Sequence, residues 1–162
     1  MSFRKFLLLK VILTFTFNSS LKISALKNLV FIVEDNPVQQ KMLKVHFEEA
    51  LGNYEVKAFS NPDDLIGHLH EKPFAVVLDH FYGNGFAKTG LDYLKELKKK
   101  YSSIPVIYHT SSTDDAIRNE ALALGAEQFI PKDSASLVRL RTALDIIHER
   151  NSKKGFLNKL FG

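Results

Sequence analysis

The chain holds 162 residues, 45% apolar and 25% charged, which suits one domain with a real core and excludes two ordinary ones. It has no cysteine, so disulfides and thiolate metal sites are excluded and a reducing cytoplasm is the expected compartment. Residues 1–28 carry five of the 22 basic residues and residues 151–162 carry three, neither with an acid; residues 29–150 keep 14 against all 18 acids, a net charge of −4. The overall charge of +4 therefore belongs to the ends, and no basic patch on the folded body argues for nucleic acid.

Residues 1–27 open with Ser2–Lys5 and the apolar run Phe6–Phe17, similar in outline to the charged and apolar regions of a signal peptide. Lys10 interrupts the run, which is too short to span a bilayer, and no small-x-small cleavage site follows it. We read the segment as an appendage outside the fold, ahead of a membrane anchor or a cleaved signal.

From Asn28 onward, short apolar runs alternate with amphipathic stretches, a pattern that predicts an α/β domain, a parallel sheet with crossover helices. The predicted strands are Leu29–Val33, Tyr54–Phe59, Phe74–Leu78, Pro105–His109 and Glu127–Ile130. The first and third are nearly continuous Val, Ile, Leu and Phe, as strands covered on both faces are. Asn36-Pro37 and Asn61-Pro62 each place a capping side chain before proline at a helix start, and Gly52 and Gly125 suit left-handed helix ends. Further helices are predicted over Gly90–Lys100, Asp114–Leu124 and Ser134–Arg150. Residues 28–150 form the domain. Residues 151–162 form a short basic amphipathic tail, read as solvated in preference to docking on a membrane or partner.

Chemistry-bearing residues follow the strands: Glu34-Asp35 after the first, Asp79 after the third, Thr110 after the fourth and Lys132 after the fifth. Groups at the carboxyl ends of neighbouring parallel strands converge on one crevice, where such sheets bind ligands. Asp79, on a central buried strand, can accept a phosphoryl group as a nucleophile; the alternative is a loop cap. Adjacent acids at Glu34-Asp35 need compensation, and Mg²⁺ supplies it with carboxylates, water and phosphate oxygens. Asp35 could instead cap the first helix, although Asn36 can do so without it. Thr110 can donate its hydroxyl to a phosphoryl oxygen, but Thr110, Ser111, Ser112 or Thr113 could equally cap the helix near Asp114. Lys132 supplies an ammonium for the carboxylate before reaction and for the phosphoryl charge after it. His68 and His70 fall on nearly opposite helix faces, and His80 and His109 point away from the crevice, so no histidine metal site is expected.

These residues, together with Gly125-Ala126-Glu127-Gln128-Phe129-Ile130-Pro131-Lys132, make the chain from about Asn28 to Arg150 resemble the receiver domain of two-component response regulators, in a stand-alone, chemotaxis-type, single-domain form. The resemblance implies a doubly wound, flavodoxin-like sheet in the order 2-1-3-4-5. It implies a phosphoryl group passed from a histidine kinase or phosphotransfer protein to Asp79, and Mg²⁺ held by Glu34, Asp35, Asp79 and the Phe81 carbonyl. Thr110 and Phe129 would be the switch pair, Phe129 turning inward as Thr110 moves to the phosphate, and a downstream protein would read the altered face. The resemblance implies a bacterial, cytoplasmic signalling protein rather than a metabolic enzyme. A phosphorylation-independent scaffold is the alternative, and a phosphatase is disfavoured because Phe81 stands where a second Asp would serve as general acid. Three departures stand out: three extra residues before Gly90, forming an enlarged loop over Gly83–Lys88; Asp133 where proline is frequent; and Ser111 after the switch threonine.

Overall fold

The computed structural model describes residues 27–83, 85 and 87–161; the reading of Phe6–Phe17 and the loop positions Asn84 and Phe86 lie outside them. Five strands form one parallel sheet: β1 Asn28–Val33, β2 Tyr54–Phe59, β3 Ala75–Leu78, β4 Val106–Thr110 and β5 Gln128–Pro131. Their order is β2-β1-β3-β4-β5, the doubly wound, flavodoxin-like arrangement. The crossover helices are α1 Pro37–Val45, α2 Pro62–His68, α3 Gly90–Lys100, α4 Asp115–Ala123 and α5 Ser136–Phe161.

Local chemistry explains the helix starts. Asn36 accepts from the Val38 and Gln39 amides at the head of α1, and Asn61 accepts from the Asp63 amide at the head of α2, each followed by proline. Thr89 and Asp92 form a reciprocal capping box at α3, and Asp114 caps α4 by accepting from Ala116. A wide π turn, His46–Ala50, extends α1, and Gly52 and Gly125 take positive φ of 73° and 97° in the turns beyond the first and fourth helices.

Alternation along the strands splits the core into two layers. Phe31, Val33, Val76, Leu78 and Tyr108 pack against α2, α3 and α4, while Val30, Ile32, Val77 and Ile107 pack against α1 and α5. Burying each large side chain of the central strands contributes about 1.5–3 kcal/mol. These strands are therefore rigid supports for whatever follows their carboxyl ends.

Two details differ from the sequence pattern. Helix α5 runs eleven residues past Arg150 to Phe161, and residues 151–160 are exposed throughout. His68 and His70 do not diverge: their rings stack 6.4 Å apart, because α2 tightens into a 3₁₀ turn at Leu69–Glu71. His68 Nδ1 contacts Glu71 and Lys57, at 2.8 and 3.0 Å. Among the described residues no helix is long and apolar enough to cross a membrane.

Candidate functional site

Strand register brings the acids together. Val33 pairs with Leu78 across β1 and β3, so Glu34 and Asp79, the next residues of each strand, emerge side by side. Thr110 pairs with Pro131 across β4 and β5, and the Lys132 amide donates to the Thr110 carbonyl at 2.8 Å. Lys132 thereby leaves the sheet edge aimed at the acids. Its Nζ lies 2.7 Å from Glu34 Oε2 and 2.8 Å from Asp79 Oδ2.

The carboxylates of Glu34, Asp35 and Asp79 offer oxygens within 4.8 Å of one another, a set of hard ligands suited to a divalent cation. Each acid is held differently. Glu34 is 2% exposed and its Oε1 accepts from the Asn36 amide at 3.2 Å. Burial pushes its carboxyl above the usual range, the Lys132 ammonium opposes that rise and the Asp79 charge adds to it. Asp35 is partly exposed and its Oδ2 accepts from the Gly83 amide at 2.6 Å; Asn36, not Asp35, caps α1. Asp79 Oδ1 accepts from the His80 amide at 2.6 Å, leaving Oδ2 on Lys132.

The peptide carrying Asp79 is clamped by groups that no sequence pattern singles out. Tyr82 donates its hydroxyl to the Asp79 carbonyl at 2.9 Å, and His80 Nδ1 lies 2.6 Å from the Tyr108 hydroxyl. Gly90, first residue of α3, sits so close that a Cβ there would lie 2.6 Å from the Tyr108 hydroxyl and 2.8 Å from His80 Cα, closer still to the Asp79 carbonyl oxygen. Tyr108 reads as one more apolar strand residue. Only its neighbours in space reveal its hydroxyl's task.

Thr110 is fully buried at the end of β4, and its Oγ1 accepts from the Ser112 amide at 3.2 Å. Because Asp114 caps α4, Thr110 is not needed there. Phe129 is buried as well, stacked on Tyr108 at 5.9 Å with the Arg118 guanidinium 5.0 Å from its ring. Phe81 is half-exposed, its ring edge-on to His80 at 4.4 Å.

His109 faces the α5 side of the sheet, 1% exposed, and its Nε2 finds no hydrogen-bond partner among the described residues. Burial first, then the Lys132 and Arg139 charges, hold its pKa down at about 3. A folded value below the unfolded one means that unfolding takes up a proton between those values. Stability should therefore fall as pH drops from about 6.5 toward 3, by at most about 5 kcal/mol from this group. His109→Leu should flatten urea-midpoint loss over that window; an unchanged slope would show that His109 contributes nothing to it.

Residues 30–145 match the response regulator receiver domain family. The chain belongs to that family. Receivers are phosphoacceptor signalling domains of two-component systems, so phosphorelay signalling is the class of work this fold performs. Among solved structures, the chain is similar to a signal receiver domain from Vibrio parahaemolyticus, at TM-score 0.68 and 21% identity over 82% of this chain and 98% of that one. It is similar to the receiver domain of Francisella response regulator 1452, at TM-score 0.68 and 19% identity over 77% and 99%. A third is the signal receiver domain of a modulated diguanylate cyclase from Desulfovibrio desulfuricans, at TM-score 0.65 and 22% identity over 78% and 98%. No curated protein matches the sequence.

Proposed function

We propose that this receiver takes a phosphoryl group on Asp79 from a histidine kinase or phosphotransfer protein and passes the signal to a downstream protein, with residues 28–150 as the receiver unit. The observation that carries the reading is Lys132 Nζ bridging Asp79 and Glu34 beside a third acid, Asp35. An Asp79 carboxylate oxygen attacks phosphorus, the bond from phosphorus to the donor breaks, and its electron pair leaves with the donor group. An acyl phosphate results. Lys132, already on Oδ2, pairs with the new phosphoryl charge. Glu34, Asp35 and Asp79 would hold Mg²⁺, with the Phe81 carbonyl as a fourth proposed ligand, and the ion would supply positive charge to the phosphoryl oxygens. The His80 amide and the Tyr82 hydroxyl hold the Asp79 backbone and side chain in place throughout.

The test is incubation with Mg²⁺ and acetyl phosphate. One phosphoryl group, labile to hydroxylamine, should be added; Asp79→Ala and EDTA should each abolish it, and Asp35→Asn should lower the apparent Mg²⁺ affinity. Undiminished labelling of Asp79→Ala would remove the assignment, and no labelling of the intact protein would favour a phosphorylation-independent scaffold.

Thr110 and Phe129 are the proposed switch pair, since both face the α4 side of adjacent strands. Thr110→Ala should still be labelled, because nucleophile, acids and Lys132 remain. The phosphate-dependent change in amide exchange around Phe129 should disappear. If it persists in the variant, or if the intact protein changes only over residues 83–88, Thr110 is not the coupling group.

A further inference from the structure

Parallel topology gives the molecule two unlike poles. The carboxyl ends of the strands hold Glu34, Asp35 and Asp79 around Lys132, with Asp133 paired to Arg139 and with Asp63, Asp64, Asp114 and Asp115 at the helix starts beside them. The amino ends receive the helix C-termini. There Lys72, Lys99 and Lys100 are exposed, and α5 adds exposed Lys153, Lys154 and Lys159. Of the acids near this pole, Glu71 is matched by Lys57 at 2.5 Å and Glu127 by Arg150 at 2.7 Å, while Glu48, Glu49, Glu55 and Glu149 lie among the lysines without a salt bridge among the described residues.

The last turns of α5 add apolar surface to this charge. Eleven residues past Arg150 carry the helix about 16 Å further, with Phe156, Leu157 and Leu160 exposed by 64%, 51% and 56%. Positions i, i+1 and i+4 lie along one side of a helix, so these three form a short stripe flanked by lysines. No acid occurs from residue 151 to 161. Pairing with a second copy would set three lysines against three lysines with nothing to neutralise them. In the sequence, residues 1–28 likewise carry five basic residues and no acid.

We infer that this pole, led by the last turns of α5, docks on an anionic lipid surface. A bilayer needs no shape match, accepts a short apolar stripe at its interface and draws lysines to its headgroups. It repels the acidic carboxyl pole, which leaves the Asp79 crevice facing away from the lipid and open to a soluble donor. The charge of the last turns of α5 and the acidity of the carboxyl pole then serve one orientation.

The experiment uses the full chain with sedimenting vesicles of phosphatidylcholine, with and without phosphatidylglycerol. Binding should require the anionic lipid and weaken as salt rises. Joint Phe156→Glu and Leu160→Glu substitution should cut partitioning at least about tenfold. Thermal unfolding should not change, since both side chains are exposed, and Lys153→Glu with Lys159→Glu should act in the same direction. Failure of the intact protein to sediment, or equal binding to neutral vesicles, would overturn the inference. So would equal sedimentation of intact and substituted protein, which would put binding elsewhere. Retention on polyglutamate without vesicle binding would give the surface to an acidic protein, and dimerisation lost with the substitutions would give it to a second copy.

Discussion

Gly90→Ala should cost the fold about 1–3 kcal/mol and slow labelling of Asp79 in the fraction that still folds. The reason is steric rather than conformational, because Gly90 is not among the positive-φ glycines. The added carbon would collide with the Asp79 carbonyl oxygen and crowd the Tyr108 hydroxyl and His80 Cα. Two of these three are backbone, which cannot swing aside. Helix α3 would have to slide outward, straining the Gly90 amide bond to the His80 carbonyl, now 2.9 Å, and the buried Tyr93, Leu94 and Leu97. The measurement is urea unfolding of both proteins. A difference below about 1 kcal/mol would mean that α3 is less firmly seated than the packing indicates.

Lys132→Ala should abolish labelling of Asp79 by acetyl phosphate and destabilise the metal-free protein by about 3 kcal/mol near neutral pH. Removing the ammonium leaves Glu34 and Asp79 facing each other, with side chains only 3% and 7% exposed. Glu34 already has a raised pKa, and losing Lys132 removes the main influence opposing burial. Its folded pKa then stands further above the unfolded value, so the folded form binds the extra proton. Stability of the variant should thus be recovered toward acid and lost as pH rises through the folded pKa. Added Mg²⁺ should restore part of the loss and EDTA should restore none. A variant as stable as the parent at pH 8 would mean that the acids are compensated by something other than Lys132.

The site was legible because its residues occupy repeated, countable positions. Glu34, Asp79 and Lys132 each follow a strand directly, and parallel strands share one direction, so order along the chain becomes adjacency in space. Asn36 and Asn61 could be placed as caps because capping is decided by neighbouring residues alone. Strand limits were displaced by about a residue, since the last pairing depends on the neighbouring strand: Thr110 belongs to β4 through its pairing with Pro131. The Tyr82, His80, Tyr108 and Gly90 clamp was hidden because it joins residues whose separate patterns mean loop, core or helix start. The end of α5 was misplaced because Asn151, Ser152 and Gly155 look like a stop, whereas the helix continues through them. That continuation puts the lysines and apolar residues of the tail on one exposed helix.

The closure between His80 and Gly90 has a consequence for how such a protein can diversify. Residues 81–89 leave and return through one short hydrogen bond, so their number is decoupled from the sheet beneath. Loop-closure entropy grows only with the logarithm of length, and three additional residues here cost about 0.4 kcal/mol. Gly83 is moored to Asp35 at one end and the Thr89–Asp92 capping box fixes the other. Between those moorings, insertions can accumulate beside the crevice at almost no thermodynamic penalty. A lineage can therefore alter what fits against this rim without moving the acids and Lys132 beneath it.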